Sequence, residues 1–342
     1  PQLFSSLGLS EHAAAGVCST WSGAYSRQLR RCRYVDPRSV RQLADVPTGP
    51  NGLCMLPGGV LAIASCESSS GTATMKFVAA RNDSDSQALT AYRASSLAAR
   101  RFEWLMGLAL TNDALLVCCL RDPSTALYKF ALDGSMEELA AVPALADYGQ
   151  GFTQCVVHQQ TQRTYALRET DEGNHAVVIL DANLQAIATV EATGDVPEGF
   201  DDDDDYEPIR DVAVHGDQVI VLTSDSHANG SGLRLLDLDG RLLRTIAAGQ
   251  FRKPHALTAS HGKAFVVDAD GGGDVRITAH SGVVRTTGML HVIDIQSGDI
   301  LQSVRFDWEG EASAVLVDGD EIYITGFYAN RVVVLQLAGS EA

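Results

Sequence analysis

The chain has 342 residues, 45% of them apolar, and 43 Asp and Glu outnumber 26 Lys and Arg to leave a formal net charge of −17. Such a field repels phosphate backbones and anionic headgroups, and no apolar run is long enough to span a bilayer, which excludes nucleic-acid partners and membrane insertion from the expected functions. The seven cysteines, Cys18, Cys32, Cys54, Cys66, Cys118, Cys119 and Cys155, include no C-x-x-C pair and sit mostly in apolar phrases, the mark of buried free thiols in a reducing compartment.

The first 35 residues are rich in Ser, Ala and Arg, and Glu11 is their only acid. That composition suits either a tail or an organellar import segment, so residues 1–35 are set apart from a single domain over 36–342. The expected compartment is the cytoplasm, with an organelle reached by import as the alternative. Next comes SVRQLADV (Ser39–Val46), close to MEELAAV (Met136–Val142) further on.

From about Pro50 one phrase recurs six times: an apolar strand, a tight Gly/Asp turn, a second apolar strand, a loop, then a strand ending in D-x-D-G or similar. In chain order its second strand and closing phrase are Val60–Ser65 with LTAYRASSLAARRF, Leu115–Cys119 with LYKFALDGSMEEL, and Thr164–Leu167 with AVVILDANLQAIATV. They continue in Val219–Leu222 with LRLLDLDGRLLRTI, Ala264–Val267 with LHVIDIQSGDILQSV, and Ile322–Phe327 with RVVVLQLAGS. A repeat of about fifty residues carrying four strands marks a β-propeller blade. The last repeat lacks a fourth strand, which Ser39–Val46 is expected to supply. The expected fold is thus all-β: a six-bladed propeller of four-stranded antiparallel blades, its last blade closed by an N-terminal strand that removes an exposed edge.

Aligning the repeats puts Asn51, Met106, Thr153, Arg210, His255 and Ser313 at the heads of the innermost strands, facing the central channel. Long insertions at Cys66–Gln87, Ser224–Gly232, Asp268–Gly288 and Thr193–Glu207 are expected on the face where those strands begin.

Two passages are similar to NHL-repeat propellers. GQFRKPHALTASHGKAFVVDADGGGDVRI (Gly249–Ile277) resembles that family's blade junction, with G-x-F-x-x-P leading into the inner strand and V-x-D ending the next. DGDEIYITGFYANRVVVLQL (Asp318–Leu337) resembles the half-repeat N-R-V-x-V, with Asn330 and Arg331 in the matching places. The resemblance implies the propeller fold from about Pro50 to Leu337 and a family of many activities: protein-binding platforms, RNA-binding modules, and metal-dependent lyases or lactonases. The lyase members carry inner-strand histidines that hold zinc, whereas only His255 matches here, short of the three ligands that zinc chemistry needs.

Three groups are candidate sites. The polar ring of Asn51, Thr153, Arg210, His255 and Ser313 lines the channel mouth, where an Arg beside a His could grip a carboxylate. In DADGGGD, Asp268, Asp270 and Asp274 present hard oxygens on a glycine-rich loop, the weak alternative of a calcium site. Asp201, Asp202, Asp203, Asp204 and Asp205 form a run that resists packing and suits a basic partner. No G-x-S-x-G elbow, phosphate loop or dinucleotide fingerprint is present. His158, His215 and His261 are expected at the surface, in turns on the opposite face.

The expected function is a non-catalytic scaffold without a cofactor, binding a protein or peptide, of basic character, on the channel-mouth loops. The alternative is a small-molecule hydrolase or lyase, lactonase-like, with Arg210 and His255 as its chemical pair in the channel.

Overall fold

The computed structural model describes residues 34–66, 72–119, 127–142, 151–169, 175–191, 209–224, 231–268, 276–277, 284–309, 312–326 and 330–338. Strand β1 (Tyr34–Gln42) comes first and waits for the end of the chain. Blade one follows with β2 (Pro50–Leu56), β3 (Val60–Cys66), β4 (Thr72–Ala79) and β5 (Phe102–Glu103), with helices α1 (Ser86–Ala94) and α2 (Ser96–Ala99) inserted before its last strand. Blade two is β6 (Leu105–Leu110), β7 (Ala114–Cys119), β8 (Leu127–Ala131) and β9 (Glu138–Val142). Blade three is β10 (Phe152–His158), β11 (Arg163–Glu169), β12 (His175–Leu180) and β13 (Ala186–Glu191). Blade four is β14 (Ile209–His215), β15 (Gln218–Thr223), β16 (Gly232–Asp237) and β17 (Leu242–Ile246). Blade five holds β18 (Pro254–Ser260), β19 (Lys263–Asp268), β20 (Arg276–Ile277), β21 (Val284–Asp294) and β22 (Ile300–Glu309). Blade six is β23 (Ala312–Asp318), β24 (Glu321–Gly326), β25 (Arg331–Ala338) and the returning β1. The protein is a six-bladed propeller, and the inner strands β2, β6, β10, β14, β18 and β23 contact one another in a closed circle.

The second strand of each blade shows why the ring must close. In β3, Val60, Ala62, Ala64 and Cys66 pack toward blade two, while Leu61 and Ile63 pack toward blade six. In β19, Phe265 and Val267 face blade six, while Ala264 and Val266 face blade four. Strict alternation is present in space yet invisible in sequence, because both faces are apolar. Among the described residues six hydrophobic clusters result, one in each seam between neighbouring blades.

Polar clamps finish the seams. Between blades three and four, Arg163 Nη1 donates to Leu238 O at 3.0 Å and Tyr165 Oη to the same oxygen at 2.9 Å. Between blades four and five, Arg244 donates to Ile295 O and Gln296 O. Between one and two, the Arg100 guanidinium lies over Phe102, Tyr128 and Phe130 and pairs with Glu138. The turns between third and fourth strands share a device: the leading aspartate, Asp181 or Asp237, accepts two backbone N–H groups across its own turn.

Two elements differ from the expectation. LTAYRASSLAARRF is mostly helical, and the third strand of blade one is TATMKFVA instead. The Asp85 carboxylate caps α1 by accepting from Gln87 N and Ala88 N. Tyr92 and Leu97 are buried, with the Tyr92 ring stacked 5.7 Å from Phe77. The insertion therefore belongs between the third and fourth strands, at the end of the blade away from the ring heads. In blade five, part of the expected loop Asp268–Gly288 is a hairpin in which Arg276 and Ile277 pair with Arg285 and Val284.

The closing strand exists but begins earlier than expected. It pairs Tyr34 with Ala338 and Val35 with Leu337, and after a bulge it pairs Arg41 with Val334 and Gln42 with Val333. Burial of Val35 sets that register, and Gln302 clasps it by accepting from Val35 N and donating to Val35 O. The propeller thus takes in the last two residues of the segment set apart as 1–35.

Closure centres on Glu321, which is 8% exposed. Its carboxylate accepts from Arg41 of β1 and from Arg81 after β4, both at 2.7 Å, and from Tyr323 and Gln336 within blade six. Arg81 also binds Asp318, so one carboxylate ties the N-terminal strand, the last blade and the first. Burial raises the Glu321 pKa, but the donated hydrogen bonds and cations prevail and hold it at about 2, below its ordinary 4.5. A depressed carboxyl stabilises fully above its unfolded value and loses that contribution as pH falls through its folded one. Glu321→Gln is expected to cost about 3 kcal/mol at pH 7. The gap to wild type in urea denaturation should shrink between pH 4.5 and about 2; a gap that stays constant would refute the assignment.

Candidate functional site

Each inner strand carries an irregularity at the same place. Pairing jumps from Pro50 to Gly52, Leu105 to Leu108, Phe152 to Gln154, Ile209 to Asp211, Pro254 to Ala256 and Ala312 to Ala314. The skipped residues are Asn51, Thr153, Arg210, His255 and Ser313, and in blade two both Met106 and Gly107. A bulge leaves its residue out of the ladder and re-aims the side chain. The six residues expected at the channel mouth therefore do form one ring of equivalent positions.

Several of them are engaged in structure. Asn51 is buried and its Nδ2 donates to Met106 Sδ at 3.6 Å. Ser313 Oγ donates to Pro50 O at 2.6 Å and lies 2.8 Å from Thr325 Oγ1, tying blade six to blade one. Thr153 Oγ1 donates to Leu167 O at 3.3 Å. Arg210 is exposed and His255 half-buried, on adjacent inner strands.

Below the ring the inner strands approach closely. A Cβ on Gly52 would lie 2.1 Å from Met106 O, and one on Gly107 would lie 2.7 Å from Gln154 Cα. Glycine is required at both because the neighbouring backbone occupies that space. At the equivalent place in blade four stands Asp211, 6% exposed. Its Oδ2 accepts from Leu257 N of blade five and its Oδ1 from Val212 N, both at 2.7 Å. Burial outweighs those two donors and pushes its pKa up to about 7.

A cavity of about 260 Å³ occupies the channel beneath the ring. Its lining runs from Gln154 and Asp211, one residue below the ring heads, down to Gln159 in the turn after β10, and includes none of the six ring residues. All six inner strands line it, polar and apolar surface are present in similar amounts, and Asp211 is the one charged residue of the lining. Sequence reasoning passed over Asp211. The signal was available in the alignment: at that position the other repeats carry Gly52, Gly107, Gln154, Ala256 and Ala314, none of them charged.

The remaining candidates separate. Asp268 is buried, with its carboxylate accepting from Arg252 N and Lys253 N at 2.8 Å and lying 3.7 Å from His291 Nε2. It thereby fixes the F-x-x-P loop before β18, a task within blade five. Asp270, Asp274 and the run Asp201–Asp205 lie outside the described residues. Among the described residues no three His, Cys, Asp or Glu side chains are grouped to hold a metal. Cys54, Cys66, Cys118, Cys119 and Cys155 are buried free thiols. His158, expected at the surface, is instead 4% exposed: its Nδ1 lies 2.8 Å from Thr161 Oγ1 and its Nε2 3.9 Å from Asp217 of the next blade. His261 is exposed, as expected. No described helix is long and apolar enough to cross a membrane.

No family model matches the chain, and no curated protein matches it. Among solved structures, hydrazine synthase of Kuenenia stuttgartiensis aligns at 16% identity over 86% of this chain and 78% of that one, with a TM-score of 0.52. BamB from Moraxella catarrhalis aligns at 12% identity over 90% of this chain and 99% of that one, at 0.46. The Dos1 propeller aligns at 10% identity over 89% and 95%, at 0.49. At such identities the likeness is one of fold.

Two substitutions probe the channel. Gly52→Ala should lower stability by about 2 kcal/mol or more, since the obstacle is backbone rather than a movable side chain; an unchanged denaturation midpoint would contradict the close approach. For Asp211, a folded pKa above the unfolded one means stability is lost as pH rises from about 3.8 to about 7. Relative to wild type, Asp211→Asn should therefore gain on the order of 4 kcal/mol across that range, measured by urea denaturation. A pH-independent difference would rule out a buried titrating carboxyl.

Proposed function

We propose that the protein is a non-catalytic propeller platform that binds a basic protein or peptide segment on the face where the inner strands begin. The observation that carries this reading is the arrangement of chain ends. β13 ends and β14 begins at the ring-head end of blades three and four, so the five aspartates between Glu191 and Ile209 are tethered there. Five adjacent carboxylates on a chain of net charge −17 form a strong attractor for Lys and Arg. Closed seams beneath give a rigid base, on which loops can hold a partner without ordering the whole domain.

The ring argues in the same direction. Asn51, Thr153 and Ser313 direct polar atoms into the propeller's own framework, and the six ring residues are of six different types, unlike a repeated ligand set. The passages similar to NHL-repeat propellers support placing the chain near that family. Asp268 and Asn330 hold the loops before β18 and β2, with Asn330 Oδ1 accepting from Gly49 N at 2.9 Å.

The test is affinity capture with wild type and with Asp201–Asp205 all changed to Asn, at low and at 0.5 M salt. Partners should be Lys/Arg-rich, be lost at high salt, and fall at least tenfold in recovery with the neutralised chain. The same partners at the same recovery from both proteins would remove the reading.

A further inference from the structure

We propose that Ser303, on the outermost strand of blade five, is a nucleophile that takes an acyl group from an activated ester. Modification is stoichiometric, one acyl group per chain without turnover, and it does not depend on the partner-binding reading.

Strand register brings three side chains onto one face of the blade. Val266 of β19 pairs with His291 of β21, and His291 pairs with Ser303 of β22. Asp268 lies two residues beyond Val266, so it shares the face turned toward blade four. Ser303 Oγ is 2.8 Å from His291 Nδ1, and His291 Nε2 is 3.7 Å from Asp268 Oδ2. Burial is graded along this row: Asp268 is 3% exposed and His291 7%, while Ser303 is open to solvent. A base thus stands behind an accessible hydroxyl, and an acid behind the base.

The base and the acid are both held in place. Asp268 Oδ2 accepts from Arg252 N and Oδ1 from Lys253 N, each at 2.8 Å, which fixes the plane of the carboxylate. The Phe251 ring lies 5.6 Å from the His291 ring and limits its rotation. A carboxylate beside Nε2 favours the tautomer with its proton there, leaving Nδ1 to accept from the serine O–H. In the reaction Ser303 Oγ bonds to the acyl carbon and its proton passes to His291 Nδ1, forming an imidazolium that faces Asp268. The tetrahedral intermediate then collapses. Its bond to the leaving oxygen breaks, that oxygen departs with the electron pair, and Nδ1 returns the proton to it or to water.

Two further hydroxyl–imidazole pairs serve as comparisons within the same chain. Thr161 Oγ1 lies 2.8 Å from His158 Nδ1, with Asp217 3.9 Å beyond, but that acid has a side chain 84% exposed and is screened by water. Ser260 Oγ lies 2.7 Å from Nδ1 of His261, whose imidazole is itself exposed. Of the three, Ser303 alone has both its base and an acid buried behind it.

The probe is p-nitrophenyl acetate, given to the full chain at pH 8 and followed by peptide mapping of the acetylated sites. Ser303 should be acetylated at least tenfold faster than Ser260 or Thr161. His291→Gln should slow Ser303 at least tenfold and leave Ser260 unaltered. Asp268→Asn should also slow Ser303 alone, and Asp268→Glu, which restores the charge, should recover part of the rate. Where a variant does not fold, the wild-type ratio of Ser303 to Ser260 decides the matter. Equal rates at Ser303, Ser260 and Thr161 would overturn the proposal, as would a Ser303 rate that survives His291→Gln.

Discussion

The second strand of every blade is apolar on both faces, and from this the rest of the structure follows. A sheet with one apolar face can be covered by one neighbour. A sheet such as that containing Leu61, Ala62, Ile63 and Ala64 needs two, because odd and even residues bury into different seams. Each blade then obliges the next to exist, and the sequence of obligations ends only when the sixth meets the first. Burial of this kind yields about 25 cal/mol per Å² of apolar surface. It has no direction, however, and cannot by itself fix which blade meets which. The polar clamps supply direction: Arg163, Tyr165, Arg244 and Gln159 each place a donor on a backbone oxygen of one particular neighbour, and Arg100 pairs with Glu138 of the next blade.

Blade six is where the N-terminal strand β1 meets the last strand β25, and a dense polar network ties it to blade one. No covalent connection holds β1 against β25, so its retention depends on non-covalent contacts whose loss would open the ring. Glu321 gathers two arginines from separate parts of the chain onto one carboxylate. A net negative protein has carboxylates in excess and cations in short supply. Two of its 26 basic residues converge on this single acid. Their placement answers a mechanical weakness that the other five blades, each built from consecutive strands, do not have.

Much of the architecture was legible because it repeats. Five of the six closing phrases fall on the strands expected, and the six ring residues fall on one structural position. What escaped was local. LTAYRASSLAARRF occupies the slot of a third strand by count, but Asp85 and Ser95 cap helices there, and Leu89 and Tyr92 lie at helical spacing. The true strand, TATMKFVA, lacks the D-x-D-G ending that identified its counterparts. The closing strand was recognised by likeness to a fourth strand, yet its register is set by Val35 and Gln302, contacts across 267 residues that no local pattern reveals. His158 looks like a turn histidine in sequence, and only the neighbouring blade buries it.

Asp211 is the case where repeat logic could have reached further. Arg210 and Asp211 are adjacent, both charged, and in an undisturbed strand one of them would face the core. The bulge takes Arg210 out of the ladder and sends it toward the mouth, leaving Asp211 at the place where Gly52 and Gly107 admit a neighbouring backbone. There the carboxylate accepts the Leu257 N–H, so the polar link made by other residues along the seams is made here at the axis itself. A glycine, an alanine or a glutamine serves the other blades at this level with no charge to bury. The acid brings a desolvation penalty that packing does not require, but its two oxygens accept the Val212 and Leu257 N–H groups separately, which an aspartamide with a single oxygen could not do in the same geometry.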